Sequence, residues 1–182
     1  MFSLWERRQT VTSGSDHHVF YIVCDTSGSM SENGKRMQVR AIARTIEQYI
    51  RLGYGNGILK LVLWNETSSL VEWNPDDDFP ERLLECYGST NADNLCALFD
   101  SAPEGRIILL TDCCWSKETA TVLKRWQRKL TPDALRIIII SNENGLLPKR
   151  RSIFSSDEIL PMLDGWLPLH NSAVTNDEAD EW

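Results

Sequence analysis

The sequence predicts a doubly wound α/β fold: a mainly parallel central sheet with one antiparallel edge hairpin and helices on both faces. Three observations carry this. Near-continuous apolar, β-rich runs at 18–25, 105–114 and 135–141 have the composition of strands covered on both sides. Amphipathic segments alternate with them, the pattern that joins parallel strands by helical crossovers. Two further runs, 57–64 and 69–73, are separated by "NETS" alone, too short for a crossover, and so read as a hairpin.

Taken in order, residues 1–17 are polar and form an N-terminal arm, and 18–168 form the domain. The strand "HVFYIVCD" (18–25) leads to a helix at 35–52, which places Met37, Val39, Ile42, Ile46, Tyr49 and Ile50 at helical spacing and ends at Gly53 and Gly55. After the hairpin, the prolines of "NPDDDFP" (74–80) bar a strand. A helix near 80–86, the turn "YGST" and a helix carrying Leu95, Cys96, Leu98 and Phe99 follow. The strand 105–114 precedes a helix at 116–130 with Ser116 as its cap, and the strand 135–141 precedes a closing helix at 155–166 capped by Ser155 or Ser156. Residues 169–182 are an acidic tail too polar to pack.

Composition narrows the partners. A chain of 182 residues with 42% hydrophobic and 25% charged residues is ordinary for one globular domain. Its net charge of -7 disfavours nucleic acid, which needs a basic surface, and the run "PKRR" (148–151) reads as a solvated loop. No apolar run approaches the ~20 residues that span a bilayer, and the start lacks the apolar core of a signal peptide. Five cysteines in no framework spacing suit free thiols in a reducing compartment, so the expected location is cytoplasmic.

Ligands of an open α/β sheet bind beyond the carboxyl ends of its strands. There the first strand delivers Asp25, Ser27 and Ser29, the "GST" turn delivers Thr90, and the strand at 105–111 delivers Asp112. All five are oxygen donors, with no His or Cys that zinc would favour, and the set suits octahedral Mg²⁺ or Mn²⁺ with some positions left to water. Alternate residues of an extended turn point the same way, so Ser27 and Ser29 share one side of a cation, and Gly28 lets the chain bend over it.

"DTSGSM" (25–30) resembles the Asp-x-Ser-x-Ser motif of von Willebrand factor A domains, and Thr90 in "YGSTNADN" and Asp112 in "LLTDCCW" match that family's other two loops. The resemblance runs in element order from about 18 to 166 and implies a Rossmann-like fold with a complete metal-ion-dependent adhesion site. It implies that Ser27 and Ser29 coordinate the metal directly, that Thr90 does so in one of two states, and that Asp25 and Asp112 act largely through water. It also implies one open metal position, filled by the Asp or Glu carboxylate of a protein partner. Where the family commonly has a small residue or glycine after the strand-terminal aspartate, this chain has Cys113, Cys114 and Trp115.

Trp115 reads either as an interface anchor or as a tryptophan folded onto the following helix. With it, Thr26 and Met30 of the first loop are the candidate partner contacts. Cys113 and Cys114 read as packing residues or as a thiol pair open to oxidation. His17 and His18 precede the first strand and so belong to the opposite end of the sheet; His170 stands alone. The acidic tail reads as solubilising, or as a segment able to enter the open metal position of its own or a neighbouring chain.

The expected function is therefore that of an adaptor in an intracellular multi-protein system such as an AAA+ ATPase or kinase/phosphatase assembly, and not an enzyme. A Mg²⁺-dependent phosphotransferase using Asp25 as nucleophile is the catalytic alternative, but aspartyl phosphatases carry a second aspartate two residues on, where this chain has Ser27, and no Walker-type loop is present. An extracellular adhesin is the third possibility, disfavoured by the unpaired thiols.

Overall fold

Alternation along the first strand sets both faces of the sheet. In β1 (Val19–Asp25), Phe20, Ile22 and Cys24 enter one apolar cluster, and Tyr21 and Val23 enter the other. The computed structural model describes residues 18–100, 105–140 and 152–167. The predicted arm and tail, the "PKRR" run, His17 and His170 lie outside them.

Six strands stand in the order β3-β2-β1-β4-β5-β6. They are β1, β2 (Ile58–Trp64), β3 (Ser68–Val71), β4 (Arg106–Thr111), β5 (Leu135–Ile139) and β6 (Ile153–Ser155). Every pairing is parallel except β2 with β3, the predicted hairpin. Of the helices, α1 (Lys35–Tyr49) and α4 (Ile159–Leu163) cover one face with Val39, Ile42, Ile46, Met162 and Leu163. The other face is covered by α2 (Ala92–Phe99) and α3 (Lys117–Gln127), through Leu95, Phe99, Leu123 and Trp126. Each helix hides an apolar stripe that water would otherwise meet, the main force holding the layers together.

Several boundaries moved. Helix α1 gives way after Tyr49 to a wider turn over Ile50–Tyr54, where Gly53 takes φ 88°. The helix expected near 80–86 is only a short 3-10 turn, Glu81–Leu83, because the backbone beyond it is drawn out to the first loop: the Tyr87 N–H donates to the Thr26 carbonyl at 2.9 Å. The closing helix does not start at 155. A helix from there would need an N–H at Pro161 to reach residue 157, and proline has none. Instead Ser155 ends β6, its N–H and hydroxyl both donating to Glu158 Oε2, and Pro161 falls in the first turn of α4.

The chain steps from β1 to β2 on one side and returns to β4 on the other, so strand order reverses at the β1–β4 pair. The carboxyl ends of these strands flank the crevice where such sheets bind ligands.

Candidate metal centre

Three loops meet at that crevice. β1 ends on Asp25, 2% exposed. Its Oδ1 accepts the Ser27 N–H at 2.9 Å and the Ser27 hydroxyl at 2.6 Å, and its Oδ2 accepts the Thr111 hydroxyl at 2.6 Å. Burial pushes the Asp25 carboxyl above its ordinary value, the bonds from Ser27 and Thr111 pull it back in part, and the charge of Asp112 adds to the rise. Because the Ser27 proton is committed to Asp25, the Ser27 oxygen keeps its lone pairs for another partner. Ser29 Oγ stands 3.3 Å from Ser27 Oγ.

The second loop is stitched to the first. Gly28 N–H donates to the Gly88 carbonyl at 3.0 Å, beside the Tyr87–Thr26 bond. Gly88 has φ +65°, a conformation that favours glycine; a Cβ there would stand 2.8 Å from Glu66 Oε1, the end of an exposed side chain free to turn aside. Asn91 then caps α2, its side chain accepting from the N–H groups of Asp93 and Asn94, while its own carbonyl accepts the Trp64 indole N–H at 2.8 Å. These bonds fix Ser89 and Thr90 between the end of β2 and the start of α2.

The third loop follows Thr111. Asp112 Oδ1 accepts the Cys114 N–H at 3.0 Å, and Oδ2 is paired with Lys35 Nζ at 2.7 Å. Lys35 also donates to the Ser29 carbonyl at 3.1 Å, tying the first loop to the third. Burial pushes the Asp112 carboxyl up, but the hydrogen bonds from Lys35, the Cys114 N–H and Ser29, with the Lys35 charge, hold it below its ordinary value. Cys113 takes φ 60°, and its N–H donates to the Thr111 hydroxyl at 3.0 Å.

Ser27, Ser29 and Thr90 line one cavity of about 280 Å³, closed by Trp115, Ser116 and Thr119. Asp25 lies behind the serines and Asp112 to one side, so the structure gathers all five predicted donors around one crevice. The donor set fits a hard divalent cation: it is all oxygen, and neighbouring ligands of an octahedral Mg²⁺ site at ~2.1 Å stand ~3.0 Å apart, close to the serine pair. Among the described residues no group of three or more His, Cys, Asp or Glu could hold a metal.

Two predicted partner contacts are not at the surface. Met30 is buried in the core by the 3-10 turn Gly28–Ser31, and Thr26 is buried with its hydroxyl on the Trp64 carbonyl. Their side chains support the loop from within. Trp115 folds inward, its ring 5.9 Å from that of Trp64, yet it remains half-buried on the cavity wall. Sequence reasoning missed Thr111 as the second holder of Asp25 and Lys35 as the partner of Asp112. For Lys35 one signal was present: a cation in the first turn of a helix opposes the helix dipole and needs a compensating partner.

No protein-family profile and no curated protein matches the sequence. Among solved structures, the chain is similar to the manganese-loaded TRAP protein of Plasmodium vivax, with 13% identity over 81% of this chain and 72% of that one and a TM-score of 0.53. More distant are a von Willebrand factor type A protein from Catenulispora acidiphila (19% identity, 69% of this chain and 39% of that one, TM-score 0.41) and the RO (RSR) protein of Deinococcus radiodurans (13%, 81% and 33%, 0.48). The chain thus spans well under half of the last two. What the chain shares with the TRAP protein is the fold, a mainly parallel α/β sheet with one antiparallel edge strand and helices on both faces.

Proposed function

We propose that the chain is a protein-interaction module that captures an acidic side chain of a partner through a divalent cation, Mg²⁺ or Mn²⁺, held by Ser27, Ser29 and Thr90. The observation that carries this is the Asp25–Ser27 pair at 2.6 Å, which commits the Ser27 proton and leaves its oxygen an acceptor beside Ser29 on a cavity shared with Thr90. A bound cation supplies a positive charge there for an external carboxylate. The residues do the rest: Asp25 sets the Ser27 hydroxyl, Asp112 balances charge at the flank, and the Gly88 loop presents Thr90.

Recognition suits this arrangement better than catalysis. A nucleophilic carboxylate needs a free oxygen facing substrate, whereas both Asp25 oxygens already accept hydrogen bonds and the residue is buried. The unpaired cysteines suit a reducing compartment and an intracellular assembly, such as an AAA+ ATPase or kinase/phosphatase system.

Affinity capture with wild type and with the Asp25→Ala, Ser27→Ala double variant, each with and without chelator, tests the reading. A partner held by wild type and lost in both controls is expected. Capture indifferent to both overturns it.

A further inference from the structure

Lys35 opens α1, following Gly34 at φ 73°, and α1 has no acidic residue in its first turn. Its ammonium therefore sits at the end of a helix that repels cations, and its compensation comes from across the fold. Nζ donates to Asp112 Oδ2 at 2.7 Å and to the Ser29 carbonyl at 3.1 Å. The pair is nearly closed to water, with side chains 11% and 3% exposed, so solvent screens it little.

The oxygens of the crevice are consequently divided. Both Asp25 oxygens accept hydrogen bonds, from Ser27 and Thr111, and Asp112 accepts from the Cys114 N–H, Lys35 and Ser29. The two carboxylates and one ammonium leave the crevice with a single net negative charge, half of what the carboxylates alone would offer a divalent ion. A dication bound by Asp112 Oδ2 must share that oxygen with the Lys35 ammonium or displace it, and one bound by the hydroxyls alone must settle near a resident cation.

We propose that Lys35 is a built-in counter-charge of the metal centre: it holds the first and third loops together in the absence of metal and lowers the affinity of the site for a divalent cation. This rests on the metal-site reading above. It deepens that reading by making occupancy a competition between a tethered ammonium and a free ion, so the domain can stay folded and metal-poor until cation and partner carboxylate arrive together.

The experiment pairs Mn²⁺ titration with thermal unfolding in chelator for wild type, Lys35→Met and Lys35→Arg, with Lys35→Gln in place of the methionine variant should that one not fold. Removing the charge is expected to tighten Mn²⁺ binding by about tenfold or more, through loss of a like charge and release of a carboxylate oxygen. The same variant is expected to melt at a lower temperature in chelator, while Lys35→Arg binds Mn²⁺ as wild type does. Equal or weaker Mn²⁺ binding by the neutral variant, with wild-type binding intact and sensitive to Ser27→Ala, overturns the Lys35 proposal and leaves the site reading standing. No Mn²⁺ binding by wild type or the neutral variant, or binding insensitive to Ser27→Ala, overturns the site reading and the Lys35 proposal with it.

Discussion

The Thr111 hydroxyl donates to Asp25 Oδ2 at 2.6 Å, joining the carboxyl ends of the two central strands β1 and β4 beneath the crevice. Thr111 is fully buried and also accepts the Cys113 N–H. Thr111→Val keeps the shape but strands a buried carboxylate oxygen and a backbone donor, so it is expected to cost about 1–3 kcal/mol of stability. Urea denaturation checks this, and a cost below about 0.5 kcal/mol contradicts the role given to Thr111.

Gly88 and Gly34 separate conformational strain from crowding. Both have positive φ, but a Cβ at Gly34 meets nothing within 4 Å, whereas one at Gly88 meets Glu66 Oε1 at 2.8 Å. Gly34→Ala and Gly88→Ala are each expected to cost about 1 kcal/mol from backbone strain, because exposed Glu66 can turn its carboxylate away from a new Cβ. Melting curves of the two variants, with Gly88→Ala/Glu66→Ala beside them, decide it; a large excess at Gly88 that Glu66→Ala relieves contradicts this.

The two carboxylates titrate stability in opposite directions in chelated protein. Asp112 lies below its ordinary value in the fold, so its contribution is complete above the unfolded value of ~3.9 and is lost as pH falls through the folded one. Asp25 lies above its ordinary value, so its contribution is complete below ~3.9 and is lost as pH rises through the folded one. The advantage of wild type over Asp112→Asn should therefore shrink as pH falls below ~3.9, and Asp25→Asn should gain on wild type as pH rises above ~3.9. Denaturation midpoints on both sides of that pH provide the check, and parallel drift of the two variants contradicts it.

The thiols beside the centre are predicted to be sluggish. Burial, with the charges of Asp112 and Asp25, pushes the Cys113 thiol up to about 12, and Cys114 is also raised, chiefly by burial and Asp112. Little thiolate forms near neutral pH, so alkylation should lag well behind that of an ordinary exposed thiol, with exposed Cys114 reacting before Cys113. Mass mapping after timed iodoacetamide treatment reads the order; rapid modification of Cys113 contradicts it.

Much of the molecule was legible in the sequence where a pattern repeats. β1 and β4 showed as unbroken apolar runs because both of their faces are covered, and the hairpin showed through its short connection. β6 did not, since three residues, Ile153–Ser155, are too few to display a period, and their strand identity comes from pairing with β5. That Asp25, Ser27, Ser29, Thr90 and Asp112 would fall at one crevice could be read from their places at the end of β1, before the cap of α2 and after β4. The partner of Lys35 was not legible, because Asp112 lies 77 residues away. Met30 looked like a loop-tip residue, yet a single 3-10 turn folds it into the core.

In the proposed function the hydroxyls of Ser27, Ser29 and Thr90 hold a divalent cation. Anomalous diffraction from crystals grown with Mn²⁺ tests it most directly. A manganese peak is expected in bonding contact with Ser27 Oγ and Ser29 Oγ, absent from the Ser27→Ala variant. Saturating Mn²⁺ with no peak in that cavity, or with a peak bound elsewhere alone, contradicts it.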